Sequence, residues 1–80
     1  MIVIGIDPRK QTHSAAALDR ATGEPGGKRT VKARALGHGE LLSWARLLDP
    51  ERIWALEDCR HVSARLERFL LARGERVVRV

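Results

Sequence analysis

The sequence predicts a mixed α/β sheet of five strands and two helices, and three observations carry the prediction. Short apolar, β-branched runs recur at Ile2-Val3-Ile4-Gly5-Ile6, at residues 52–56 and at residues 76–80. The segments that separate the later runs change to three- and four-residue apolar spacing, the period of a helix. A hydrophilic stretch at residues 21–27, ATGEPGG, divides two strand-like segments in the first half. The predicted order is β-β-β-α-β-α-β.

The first run is apolar on alternate sides, as in a strand buried on both faces, and it ends at Asp7-Pro8, where proline cannot donate to a continuing ladder. Thr12 to Leu18 reads as the second strand, although Ala15-Ala16-Ala17 pulls towards helix. Lys28 to Ala35 alternates around Val31 and reads as a third, more exposed strand. Leu41, Leu42, Trp44, Ala45 and Leu48 define an amphipathic helix over 39–48, stopped at Asp49-Pro50. Arg52 to Leu56 is the fourth strand and ends at Glu57. Residues 59–73 place Val62, Leu66, Phe69 and Leu70 on one helix face, with Asp58 as N-cap and Gly74 as stop. Arg76 to Val80 is the fifth strand.

Eighty residues suit one small domain, and a chain of this size buries only ~60–65% of its unfolded surface. A single cysteine, Cys59, excludes an internal disulfide framework and a multi-cysteine zinc site. No apolar run approaches the ~20 residues that cross a bilayer, and no signal-peptide pattern opens the chain, so a cytoplasmic protein is expected. Fifteen Lys and Arg against ten Asp and Glu give +5, which permits a nucleic-acid partner. Twelve of those cations are arginine, a bias that genome composition also produces, so the charge does not establish one.

Topology sharpens the reading. The first three strands form a meander and the later two arrive by helical crossovers, which are right-handed in ~98% of cases. The favoured strand order is 3-2-1-4-5, with the fourth strand parallel to the first and beside it. Asp7 and Glu57, closing those two strands, then become neighbours at the end of the sheet where sites form. Paired carboxylates suit Mg²⁺ or Mn²⁺. Two ions about 3.5–4 Å apart can stabilise both oxygens of a phosphodiester displacement, but two acids need further oxygen ligands to hold them. Both crossovers step the same way across the sheet, so both helices fall on one face and the other stays uncovered. Self-association, a partner or marginal folding is the expected consequence.

Gly5-Ile6-Asp7 with Lys10 and His13, then Trp54 to Asp58 (WALED) and Leu66 to Val80 (LERFLLARGERVVRV), resembles the start of the DEDD-type insertion-sequence transposases, the "one-ten" group. The resemblance spans essentially the whole chain and implies a RuvC-like, ribonuclease H-like fold, of which residues 1–80 would be the N-terminal part of a single domain. It implies that Asp7 and Glu57 are the first two catalytic, metal-binding acids of a tetrad completed by two downstream aspartates. By the same resemblance the complete protein would use Mg²⁺ or Mn²⁺, cut and rejoin DNA under a guide RNA, and form a homo-oligomer. The 80 residues would be inactive alone.

Other readings stand beside these. Asp7 also fits a strand-ending Asp-Pro turn, and Glu57 an exposed strand-to-helix junction. Asp58 competes as a ligand, but its N-cap role accounts for it, whereas Glu57 shares a strand face with Ile53 and Ala55. Lys10 and His13 lie just past the acid-bearing strand end and fit either nucleic-acid phosphate contacts or a solvated turn. Arg9 reads as solvated, and the row Arg60, Arg65, Arg68 and Arg73, with Glu67, as the wet face of the second helix, with phosphate binding there as the alternative. Cys59 reads as a packing residue, and Trp44, Trp54 and Phe69 as core. Gly-Ile-Asp also opens sugar kinases and related ATPases, whose first hairpin holds phosphate on glycines that Pro8-Arg9-Lys10 replaces here. An inactive, decayed fragment is the third alternative.

Overall fold

A computed structural model of the chain describes residues 1–57 and 60–80. Its elements follow the expected order: β1 (Ile2–Pro8), β2 (Thr12–Asp19), β3 (Pro25–Lys32), α1 (Ala35–Leu48), β4 (Arg52–Leu56), α2 (Arg60–Ala72) and β5 (Val77–Arg79). The strands form one sheet in the order β3-β2-β1-β4-β5. The β1–β2 and β2–β3 pairs are antiparallel, and β1–β4 and β4–β5 are parallel. This is the mixed, ribonuclease H-like sheet expected from the sequence.

Strand alternation sorts the side chains into two unlike faces. Ile2, Ile4 and Ile6 of β1, Ala15 and Ala17 of β2, Val31 of β3, and Trp54 and Leu56 of β4 are buried on one of them. Leu41, Leu42 and Ala45 of α1, with Leu66 and Leu70 of α2, complete the same core, so both helices cover this face. The other face carries Val3, Gly5 and Asp7, Ser14, Ala16 and Leu18, and Ala55, and none of these is buried. Among the described residues nothing covers it, as the common direction of the crossovers requires.

Polar groups close the edges of the core. Arg52 donates from one edge of its guanidinium, through Nε and Nη2, to the two Glu75 carboxylate oxygens at 2.7 and 2.8 Å, and Trp54 Nε1 donates to the same carboxylate at 2.8 Å. Burial pushes the Glu75 carboxyl up, but the hydrogen bonds from Arg52 and Trp54 and the charges of Arg52 and Arg46 outweigh it and hold the group below its ordinary range. Arg79 spans from β5 to α2, donating to Ser63 Oγ at 3.1 Å and Glu67 Oε1 at 2.8 Å.

The largest boundary differences from the sequence expectation fall around β3, which ends at Lys32 rather than Ala35, and α1. Helix α1 begins at Ala35 rather than 39, because Gly37 and Gly39 lie inside its first turns. Gly37 belongs there: a Cβ at this position would overlap the Lys32 carbonyl at the end of β3. Strand β3 begins at Pro25, inside the expected turn, and a bulge between Ala17 and Leu18 absorbs the register shift. Asp19 caps the shortened turn by accepting from the Ala21 and Thr22 N–H groups at 2.8 and 3.2 Å, which lowers its pKa. The expected N-cap Asp58 and packing residue Cys59 lie outside the described residues. Among those described, no helix is long and apolar enough to cross a membrane.

Candidate functional site

Register on the open face settles where the acids stand. In the parallel β1–β4 pair Ile6 is opposite Leu56, and the Glu57 N–H donates to the Ile6 carbonyl at 3.4 Å. Asp7 and Glu57 are therefore the next positions on two adjacent strands, whose backbones run ~4.8 Å apart. Across β1, Asp7 faces Ser14 of β2, which in turn faces Thr30 of β3, with the two hydroxyl oxygens 3.2 Å apart. A polar row, Thr30–Ser14–Asp7–Glu57, thus crosses four strands.

A second row lies one step back, where Lys28, Ala16, Gly5 and Ala55 pair across the same strands. Its small residues lower the floor and leave an open depression of about 510 Å³ that contains both acids, both hydroxyls and Lys28. The absent side chain of Gly5 and the methyls of Ala16 and Ala55 make the space, and the acids line its rim. Arg9 Nη2 approaches Asp7 Oδ2 at 3.3 Å, with both side chains well exposed, so this pair constrains little.

The donor set is hard: two carboxylates and two hydroxyl oxygens. Such oxygens fit a single Mg²⁺ that keeps water or phosphate in its remaining positions. Among the described residues no three His, Cys, Asp or Glu side chains form a metal-holding group, so a two-ion centre is not built from these residues. Asp7 and Glu57 are brought together as expected from the topology.

The structure does not bring Lys10 and His13 to the acids. A hairpin with Arg9-Lys10-Gln11 between its strands sets Asp7 opposite Ser14 and Pro8 opposite His13. His13 therefore faces the helices, 1% exposed, and Lys10 lies with it on that side. Ser14, Lys28 and Thr30 take the places beside the acids, and the sequence reading passed over them. Strand parity carried the signal: in an antiparallel meander, residues opposite Asp7 share its face.

The class defined here is structural: a ribonuclease H-like mixed sheet with two acids at adjacent parallel strand ends. No family model matches the chain, and no curated protein matches it. Among solved structures the chain is similar to the Aquifex aeolicus member of the Ppx/GppA protein family, with a TM-score of 0.51 and 16% identity, over 100% of this chain and 35% of that one. At that identity the likeness establishes the fold. The finding corrects the resemblance drawn above: the chain is similar in fold to a Ppx/GppA protein and not to a DEDD transposase, and nothing supports transposition or recombination. Gly5-Ile6-Asp7 lies on β1, and Trp54 to Glu57 runs along β4 and one residue past its end, so both short blocks sit on the two central strands and follow from the sheet itself.

Proposed function

We propose that the chain is part of an ATPase- or sugar-kinase-type module that holds the phosphoanhydride chain of a nucleotide or polyphosphate against the open end of the sheet. One observation carries the reading: Asp7 and Glu57 sit at successive strand ends on one uncovered face, above a floor of Gly5, Ala16 and Ala55. The Ppx/GppA fold neighbour supports it, and because the chain spans 35% of that neighbour, the activity belongs to the proposal as well.

In this reading Asp7 and Glu57 would hold one Mg²⁺, with the Ser14 hydroxyl within the same row. The cation would supply charge neutralisation on the phosphate oxygens. Lys28 and Arg9 flank the acids and would meet the remaining phosphate charge. The β1–β2 turn contributes differently from a glycine loop. Pro8 has no N–H, and the Arg9 N–H is already given to the Thr12 carbonyl at 2.9 Å. Positive φ is confined, among the described residues, to Gly23, Gly27 and Gly74, so no nest of backbone amides forms at this turn. Side-chain cations take over that role here. The apolar surround of Val3, Leu18, Val78 and Val80 is the surface that further protein would cover.

Calorimetric titration of the chain with ATP and with inorganic polyphosphate, in Mg²⁺ and then in excess chelator, tests the proposal. Binding should require the metal and weaken at least about tenfold in Asp7→Asn, the loss of one charge-assisted interaction. Metal-independent binding, or binding unchanged in that variant, would remove the acids from the function.

A further inference from the structure

The three histidines of the chain meet on the helical side of the sheet, away from the acids. A pocket of about 390 Å³ there is lined by Lys10 of the β1–β2 turn, His13 of β2, His38 of α1, and His61, Arg65 and Arg68 of α2. Positions 61, 65 and 68 follow four- and three-residue spacing, so one face of α2 delivers all three side chains. His13 and His38 form the floor, their rings stacked at 5.7 Å and 18°, with Phe69 tilted against His38 at 5.6 Å.

Two features of this pocket need explanation. First, His13 Nδ1 and His38 Nε2 are buried without a hydrogen-bond partner, in side chains 1% and 4% exposed. Each such orphan carries the desolvation cost of an unmet buried polar group, a cost that a bound partner would offset. Second, Lys10, Arg65 and Arg68 converge, and among the described residues no carboxylate lines the pocket and none of the three cations is in an ion pair. A metal does not answer both features, since no metal-holding group forms among the described residues and the cations would repel one. An apolar ligand would leave the nitrogens and the cations unmet.

We propose that this pocket binds a small oxyanion of the phosphate class, clamped by Lys10, Arg65 and Arg68 against the His13–His38 floor. The anion's oxygens accept from the guanidinium and ammonium groups at the mouth and from imidazole N–H groups beneath. The site lies across the sheet from Asp7 and Glu57 and stands independently of the function assigned to them.

Proton linkage gives the site a signature. Burial holds His13 below its usual value of 6.5, and burial with the charges of His13 and Arg65 does the same to His38. Among the described residues the groups facing the pair are Lys10 from the turn and His61, Arg65 and Arg68 from α2, all neutral or cationic, and these favour uncharged imidazoles in the free pocket. A bound anion reverses that balance, raising the imidazole pKa values. Binding then takes up protons and tightens as pH falls.

Titration of the full chain with inorganic phosphate, at constant ionic strength set by chloride, tests the proposal through the imidazole ¹H–¹⁵N signals and the thermal midpoint. Phosphate should shift the His13 and His38 signals saturably, raise the midpoint, and bind more tightly at about pH 6 than at about pH 8. Arg65→Gln and Arg68→Gln, both exposed helix positions, should each weaken binding about tenfold while leaving the unliganded midpoint in place. A linear response shared with chloride, or affinity in both variants unchanged from that of the unsubstituted chain, would overturn the site. Equal competition by an oligonucleotide without terminal phosphate would overturn the small-anion assignment in favour of a nucleic-acid surface.

Discussion

The two faces of this sheet come from the same strands yet carry opposite chemistry. Towards the helices, β1 and β4 present Ile2, Ile4, Ile6, Trp54 and Leu56, all buried in one core. Towards solvent the same strands present Gly5, Asp7, Ala55 and Glu57, which line an open depression. Polar groups on the covered face are mostly locked, as in the Arg52–Glu75–Trp54 network, whereas those on the open face are nearly unconstrained. One residue of phase in a strand thus separates a packed core from an open, polar face. The face that the core does not need is free to keep charged groups.

The sharpest attempt to break this division is a large deletion on each side. Trp54→Ala removes a fully buried side chain and the hydrogen bond it gives Glu75, and should cost about 3–5 kcal/mol. Leu18→Ala, on the open face at 45% exposure, should cost under about 1 kcal/mol. Midpoints of chemical denaturation measure both. Comparable losses would mean that the open face is packed in solution, by a second copy or by rearrangement.

Acidification acts on the covered face through its buried titratable groups. His13 and His38 have folded pKa values below 6.5, so the unfolded chain binds more protons as pH falls through that value, and stability declines there. Glu75 is depressed below its usual 4.5; its contribution is present above that pH and is lost as pH falls through the lower folded value. Thermal midpoints measured from neutral to acid pH should therefore fall in two stages. His13→Gln with His38→Gln should flatten the first stage and leave the second. A midpoint independent of pH around 6.5 would show that the imidazoles are solvated.

Much of this architecture was legible because periods of two and of three to four residues alternate so cleanly along the chain. The apolar runs at 2–6 and 52–56 fixed the central strands, and the crossover rule then placed Asp7 beside Glu57. Glycine misled at both remaining boundaries. Gly37 reads as a helix breaker until its close approach to Lys32 is seen, and Gly26-Gly27 reads as a turn although β3 runs through it, with Gly26 the extra residue of the bulge. His13 was placed by nearness in sequence to Asp7, when hairpin parity put it on the other face. The histidine pocket was illegible for a further reason: Lys10, His38 and Arg65 come from three separate elements, and no local period reveals how α2 lies across α1. Family assignment failed because short motifs shared across a fold cannot choose among its branches.

The smallest expected effect is also the most discriminating. Asp7→Asn and Glu57→Gln should change stability by less than about 0.5 kcal/mol, because exposed carboxylates in a weak pair contribute almost nothing to folding. A slight gain in the double variant would follow from relieving repulsion between two carboxylates on neighbouring strands ~4.8 Å apart. That near-zero change, measured by denaturation beside a large loss of metal-dependent phosphate binding, separates residues held for chemistry from residues held for the fold. A loss of several kcal/mol would instead make the acids structural, as partners of groups that the open face does not display, and the division between the two faces would no longer hold.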